Sequence, residues 1–230
     1  MNTATQTPDR PDTTDRPDTA DMLLVHRAFR RHFDALPGLV GGVADGDTAR
    51  AGRIVEFLTE LDTGLHHHHC AEDELMWPLL LERAKTDGAL ILRMEEQHER
   101  IAELIDRADR QAEEFAASAH PEVRGHLAAT LSALAVALDE HMAEEEARIL
   151  PLAGRVMTAR EWQALGERGR AAVPKDRRLI FLGFILQAVP HPERRKFLAD
   201  MPFAARLAWR LLGSRTFAKE YRSIYGTDPE

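Results

Sequence analysis

The chain has 230 residues, of which 44% are hydrophobic and 30% are charged, and its formal net charge at pH 7 is −8. A chain of this size and composition buries a globular core without disulfide bonds, and the single cysteine, Cys70, excludes an intramolecular disulfide framework. The acidic charge argues against nucleic-acid binding, while the lack of an apolar spanning segment and of a secretory pattern leads us to expect a cytoplasmic protein.

The N-terminal half of the chain divides into a tail and two long helices. Residues 1–19 are rich in proline, threonine and aspartate, which predicts a disordered tail. A first helix is predicted from Asp21 to Leu36, where the following Pro37-Gly38 should end it. A second is predicted over residues 48–85, with a kink or an end at Pro78.

Two further helices complete the predicted fold. The third covers residues 89–118, and the fourth begins at Pro121, a favourable first helical position, and runs toward Pro151. In all four segments the apolar residues recur in steps of three and four, and no strand-like alternation is present. This pattern predicts an all-α protein whose residues 20–157 form an up-down antiparallel four-helix bundle.

Residues 158–230 form a distinct C-terminal appendage. A capping-box pattern from Thr158 to Glu161 opens a short helix, and several prolines divide the remainder into short helical pieces. The appendage has 14 Lys and Arg against 8 Asp and Glu, whereas the rest of the chain has 16 against 30. Apolar groups at residues 179–186 and 203–212 lie beside arginines, a pattern that suits a membrane surface or a partner protein. We expect these helices to pack on the bundle or on a second subunit, with their arginines in water.

Six polar residues interrupt the apolar seam of the predicted bundle: His26, His68, Glu72, His98, His141 and Glu145. Burying a carboxylate without a partner is expensive, and a cation at the centre of the bundle would satisfy all six groups. In each His-x3-Glu pair the two side chains lie one turn apart on the same face of a helix, so both can reach one metal ion.

The polar seam is repeated within the chain. The pattern His-x3-Glu-x5-Pro begins at His68 and again at His141, 73 residues later, and His26 and His98 are 72 residues apart. Two helical hairpins that each supply two histidines and one glutamate would meet about a pseudo-twofold axis and hold two metal ions bridged by two carboxylates. Mixed imidazole and carboxylate ligands suit iron, with manganese or zinc as alternatives.

The other histidines are open to plainer interpretations. A lone histidine is more often structural than ligating, and His69 with Asp73 forms a competing pair one turn apart. The repeat favours the pair His68 and Glu72 over that alternative. The same register assigns surface or supporting roles to His66, His67 and His69. Structural or solvent roles are expected for His32, His120, His126 and His191, and packing for Cys70.

The segments HHCAEDELMWP and HMAEEEARILP resemble the paired HHE cation-binding motifs of the hemerythrin-like family. The resemblance covers about residues 20–170 and agrees in order, spacing and hydrophobic frame. It implies two Fe ions in a non-haem diiron centre with an oxo or hydroxo bridge, which binds O2 or related small oxidants. The implied ligands are His26 and His68 on one iron, His98 and His141 on the other, and the bridging Glu72 and Glu145.

The sequence departs from the oxygen carriers of that family at two positions. The carriers have a further histidine one turn before His98, where this chain has Met94, and an aspartate five residues after the last histidine, where this chain has Glu145 after four. Glu95 could replace the missing imidazole, because Glu-x-x-His is used in ferritin-like sites, although a surface role for Glu95 is favoured. Fewer imidazoles would leave more open coordination positions, which favours reaction with peroxide.

The sequence therefore predicts a hemerythrin-like diiron protein that binds O2 or reacts with H2O2 or NO, with slow catalase-like or nitric-oxide-reducing turnover as a plausible activity. A second hypothesis is an oxygen or iron sensor that signals through the C-terminal helices. Iron storage is a third, but it needs a large enclosed cavity, and nothing in the sequence indicates assembly of a cage.

Overall fold

The computed structural model describes residues 15–229, and every regular element in that range is helical, as the sequence predicts. The helices are α1 (Ala20–Gly41), α2 (Thr48–Leu75), α3 (Trp77–Arg83), α4 (Gly88–Ser118), α5 (Pro121–Glu144), α6 (Leu150–Val156), α7 (Ala159–Ala172), α8 (Arg178–Ala188), α9 (His191–Asp200), α10 (Phe203–Ala208) and α11 (Ser214–Tyr225). A 3-10 turn covers Lys85–Asp87, and π-helical turns cover Glu145–Ile149 and Trp209–Gly213. The predicted tail falls mostly on residues 1–14, which lie outside the described residues.

The four long helices form the core of the protein. Helix α1 packs on α2 and α5, and α4 packs on the same two helices, so each long helix has two long neighbours. The predicted apolar stripes supply the buried side chains; Leu36, Ile54, Ile91 and Leu134 all have no exposed surface. We refer to α1, α2, α4 and α5 together as the four-helix core.

Pro37 does not end the first helix, and that prediction was wrong. Helix α1 continues through Pro37 to Gly41. Leu36 and Val40, on either side of the proline, are completely buried in the apolar core. Their packing holds the last turn in helical form although the proline lacks an N–H for the helical hydrogen bond.

Pro78 and Pro151, the prolines of the two repeated motifs, have different effects on the helices that precede them. Pro78 lies in the first turn of α3, and α2 ends just before it at Leu75, as the sequence predicts. Pro151 lies in the first turn of α6, directly after the π-helical turn that begins at Glu145, so the chain stays helical through the second motif. A π-helical turn makes the helix locally wider and is common at functional sites.

The appendage begins with the predicted capping box. The Thr158 hydroxyl accepts a hydrogen bond from the Glu161 N–H at 3.2 Å, and the Glu161 carboxylate accepts one from the Thr158 N–H at 2.8 Å. Helix α7 then packs along α2 and α8 packs on α1, while α11 contacts both α8 and α2. Ile180, Phe184 and Phe217 are buried in the apolar cluster of the four-helix core, so residues 179–186 pack inward as expected.

An ion-pair network ties the appendage to α2. The Arg177 guanidinium donates to the Glu60 carboxylate at 2.6 Å and to the Glu220 carboxylate at 2.7 Å. Of the helices within residues 15–229, none is both long enough and apolar enough to cross a membrane.

Candidate metal centre

The six sequence-predicted residues lie together at one end of the four-helix core. His26 is on α1, His68 and Glu72 are on α2, His98 is on α4, and His141 is on α5; Glu145 opens the π-helical turn that follows. Four of the six have no exposed surface: His26, Glu72, His141 and Glu145. The exposed fraction is 7% for His98 and 12% for the side chain of His68.

These residues form two clusters that could each hold a cation. In the first, His26, His68, Glu72 and Glu145 each offer one ligand atom, and these atoms all lie within 4.8 Å of one another. The Nε2 atom of His26 is 3.2 Å from Oε2 of Glu145, and Nε2 of His68 is 3.2 Å from Oε1 of Glu72. The structure thus brings His26 and His68 to the same cluster.

The second cluster consists of His69, Glu72, His98 and His141, again with ligand atoms within 4.8 Å of one another. Nε2 of His98 lies 3.2 Å from Nε2 of His141 and 3.5 Å from Oε2 of Glu72. Glu72 therefore stands between the clusters, with one carboxylate oxygen toward each. Glu145 belongs to the first cluster, and its Oε2 is 3.9 Å from Nε2 of His141.

His69 is the residue that the sequence analysis missed. A surface position for His69 was wrong, because this residue is only 8% exposed, and it lies in the second cluster rather than outside both. Its ring stacks on that of His98, with a centroid distance of 4.0 Å and an angle of 17° between the planes. Its imidazole lies in the second cluster, near which Met94 replaces a histidine of the oxygen carriers, whereas Glu95 belongs to neither cluster. The only indication of this in the sequence was that His69 and Asp73 form a second pair one turn apart on α2.

Three of the five histidines in the clusters have their Nδ1 atom bound to a neighbouring side chain. The pairs are His26 with Glu146 at 3.0 Å, His98 with Asp73 at 2.9 Å, and His141 with Gln97 at 3.1 Å. Each acceptor oxygen favours the tautomer with hydrogen on Nδ1 and turns Nε2 toward the cluster. This is the usual arrangement behind metal-bound imidazoles.

Seven of the buried atoms that face the clusters lack hydrogen-bond partners. They are Nε2 of His26, His68 and His69 and both carboxylate oxygens of Glu72 and Glu145. Leaving a buried polar atom without a partner costs about 1–3 kcal/mol each. A cation in each cluster would satisfy these atoms together, and the mixture of imidazole and carboxylate donors suits iron. The residues present therefore fit the expected metal ions.

The electrostatics of the two buried carboxylates differ. Burial raises the pKa of Glu72 well above its usual value, and the nearby charge of Glu145 raises this pKa further. Burial would also raise the pKa of Glu145, but the neighbouring His26 outweighs that effect, and the pKa is lowered. The pKa of His26 is raised to about 9, because Glu145 and Glu146 together outweigh the effect of burial. Metal ions that bind here would displace protons from Glu72 and His26.

The remaining histidines have other environments. His32 is buried, with Nδ1 2.6 Å from the Tyr225 hydroxyl, and the His120 ring accepts a hydrogen bond from the Glu122 N–H at the start of α5. These are structural roles of the kind expected. His66 and His126 are exposed, His67 is half-buried, and the side chain of His191 lies outside the described residues. Cys70 is half-buried, with Sγ 3.5 Å from Nε2 of His66.

Comparison with known proteins identifies the family. The model of the hemerythrin HHE cation-binding domain matches residues 18–153, a range that contains the four-helix core and every residue of both clusters. No curated protein and no solved structure matched the chain. The family match covers more than half of the 230 residues. The chain therefore belongs to the hemerythrin HHE cation-binding family.

Proposed function

We propose that this chain is a non-haem diiron protein that binds O2, or reacts with H2O2 or NO, at a carboxylate-bridged centre inside an up-down antiparallel four-helix bundle. The observation that carries the proposal is the pair of adjoining clusters that share Glu72. In these clusters the oxygens of both glutamates and Nε2 of three histidines are buried without a hydrogen-bond partner. One iron would be held by His26, His68 and Glu145, the other by His69, His98 and His141, with Glu72 between them.

The surroundings of the clusters favour a small ligand. The Phe29 ring lies 5.4 Å from that of His68, and the buried Trp77 ring lies 5.8 Å from that of His98. These apolar side chains shield the clusters from water. When bound, two iron ions would supply Lewis acidity and electrons for O2, peroxide or NO. The protein's part is to orient the imidazoles and to keep the site dry.

His69 changes the balance between the reactions. The sequence suggested extra open coordination positions near His98, because Met94 replaces a histidine of the oxygen carriers. With His69 in the second cluster, the chain offers five imidazoles and two carboxylates. This ligand set supports O2 binding ahead of peroxide or NO turnover as the leading function.

The test combines metal content with a pair of matched variants. The purified parent should contain two irons per chain and show an oxo–iron visible spectrum. His69→Ala should lower the iron content or shift the spectrum, because the second cluster loses an imidazole. His67→Ala is the control, since His67 lies on the same helix, α2, but belongs to neither cluster. A folded parent without metal would refute the proposal, and a His69→Ala spectrum equal to that of His67→Ala would refute the role of His69.

The ligand can be identified on the same material. Anaerobically reduced protein should regain the oxidised spectrum or form a reversible complex when O2 is added, and H2O2 and NO are tested in parallel. Reversal of the O2 spectrum on removal of the gas would identify a carrier. Consumption of H2O2 or NO over many turnovers would instead identify an enzyme. If none of the three ligands changed the spectrum, the proposed reactivity would be excluded.

One contact favours sensing as a second function. His32 is six residues after His26 on α1, and it contacts the appendage through the Tyr225 hydroxyl at 2.6 Å and the Phe184 carbonyl at 3.4 Å. A shift of α1 on ligand binding would therefore reach α8 and α11. Limited proteolysis of reduced and oxidised protein tests this route; identical cleavage of the appendage in both states would exclude it.

A further inference from the structure

Within the part of the chain that the structure describes, the appendage exposes an apolar ridge to solvent. Four large side chains form it, with exposed fractions of 71% for Phe203, 42% for Leu207, 59% for Leu211 and 65% for Leu212. The first three are spaced by four residues, so they lie along one face of α10 and the turn that follows. At 1.5 Å per residue, residues 203–212 span about 15 Å.

The opposite face of the same segment is fixed to the protein. The Trp209 ring lies 6.1 Å from that of Phe217, which is buried in the apolar cluster of the four-helix core. Gly213 is buried, and a Cβ atom there would lie 2.6 Å from the Trp209 ring and 3.4 Å from Leu179. The outward direction of the ridge is thus set by packing, and a partner that binds it does not have to order it.

The stretch of chain that carries the ridge contains four cationic residues and no acidic one. Residues 201–219 contain Arg206, Arg210, Arg215 and Lys219 but no Asp or Glu, in a chain with a net charge of −8. The Arg206 guanidinium lies 5.9 Å from the centre of the Phe203 ring. Arg210 and Arg215 are exposed and form no ion pair with the described residues. The ridge therefore combines exposed apolar side chains with positive charge.

We propose that the apolar ridge binds the surface of a membrane that contains anionic lipids. Phe203 and the three leucines would enter the boundary between headgroups and acyl chains, and the flanking arginines would pair with lipid phosphates. The segment would lie in the plane of the interface, with the four-helix core in water. The protein would bind peripherally, which agrees with the absence of a membrane-spanning helix within residues 15–229.

A second copy of the chain fits this surface less well. Among the residues that the structure describes, the other large exposed apolar side chains are Leu81, Leu92 and Val136. They lie on three different helices, α3, α4 and α5. Contact between the ridges of two copies would bring Arg206 and Arg210 of one copy toward those of the other. Lipid phosphates would neutralise these charges, whereas a second ridge would add to them.

The experiment is flotation of the full chain with vesicles. Vesicles of phosphatidylcholine alone are compared with vesicles that also contain phosphatidylglycerol. The parent should float with the anionic vesicles, and added salt should weaken binding. Leu207→Glu/Leu211→Glu should reduce binding by about tenfold or more for each leucine. Leu92→Glu is the control, because Leu92 is 52% exposed on the four-helix core and lies outside the ridge.

Arg210→Gln/Arg215→Gln is a second variant that keeps the ridge. It should lower binding to anionic vesicles by about fivefold for each arginine. Circular dichroism and iron content should be unchanged in all variants. Failure of the parent to bind anionic vesicles, or equal binding by the parent and Leu207→Glu/Leu211→Glu, would overturn the proposal. The proposal would also be overturned if the parent formed a dimer in solution and did not bind vesicles, and if Leu207→Glu/Leu211→Glu dissociated that dimer.

Discussion

Asp62 is a buried carboxyl group outside the two clusters whose ionised form is unfavourable in the folded protein. Its replacement by asparagine should therefore stabilise the protein. Asp62 lies on α2, is 7% exposed, and both of its carboxyl oxygens lack a hydrogen-bond partner in the ionised state. Burial raises its pKa from 3.8 to about 8, and the nearby carboxyl of Asp109 on α4 adds to the increase. A protonated Asp62 can donate a hydrogen bond to Asp109, so folding favours the neutral form.

The direction of the pH dependence follows from this pKa. Below about pH 4 Asp62 is protonated in both the folded and the unfolded chain, so it does not oppose folding. Between about pH 4 and pH 8 only the unfolded chain releases the proton. The free energy of unfolding therefore falls by about 1.36 kcal/mol for each pH unit. The Asp62→Asn variant avoids this loss, because its amide is neutral and can still donate to Asp109. The free energy of unfolding of the variant should exceed that of the parent by at most about 2 kcal/mol at pH 5 and about 5 kcal/mol at pH 8.

Denaturant unfolding at the two pH values measures this difference. Parent and variant are compared at equal iron content, so that other titrating groups cancel in the difference. Asp109→Asn is the matched control. It removes the neighbour but leaves Asp62 buried, and since burial is the larger cause of the pKa shift, most of the pH dependence should remain. If Asp62→Asn were no more stabilised at pH 8 than at pH 5, the reasoning would be refuted.

Three further substitutions test the surroundings of the site and the appendage. Glu146→Gln should weaken iron binding by about 10–100-fold in a chelator competition, because the charge that holds Nδ1 of His26 is removed; unchanged affinity would contradict this. Gly183→Ala places a Cβ atom 2.2 Å from the Phe217 ring, so α8 and α11 must separate; thermal unfolding should show a loss of about 1–3 kcal/mol, whereas Gly169→Ala should show no such loss. Thr158→Ala removes the cap of α7 and should cost about 1 kcal/mol in urea unfolding, with Thr158→Ser close to the parent.

The sequence was sufficient for the helices and for six residues of the clusters because both depend on the geometry of a helix alone. Apolar steps of three and four define a buried face, and polar residues such as Glu72 on that face need a partner. The repeat then indicated that the polar residues come together. No knowledge of neighbouring helices was required for these predictions.

His69 could not be predicted in this way because its role depends on where α2 lies between its neighbours. His68 faces α1, with its ring 5.3 Å from that of His26, and His69 faces α4, with its ring 4.0 Å from that of His98. A single stripe of seam positions assigns only one of two consecutive residues to the interior. A helix packed between two others at a polar site buries both.

Two other predictions, on the effect of proline and on the appendage, were also limited because their outcome depends on tertiary packing. Pro37 and Pro78 are the same residue in helical sequences, yet α1 continues through the first and α2 ends before the second. The burial of Leu36 and Val40 decides the first case, and it depends on tertiary contacts. Likewise, the two apolar groups of the appendage look alike in sequence, but residues 179–186 pack inward while Phe203 and Leu207 remain exposed.

The adjacency of His68 and His69 has a mechanical consequence for loading of the site. Because His68 and His69 share the backbone of α2, an ion bound by His68 would restrict rotation of α2 about its axis, and with it the position of His69. Glu72, one turn further along, would be aligned by the same event. If two irons bind as proposed, binding of the first would therefore position the ligands of the second, and uptake of iron should be cooperative.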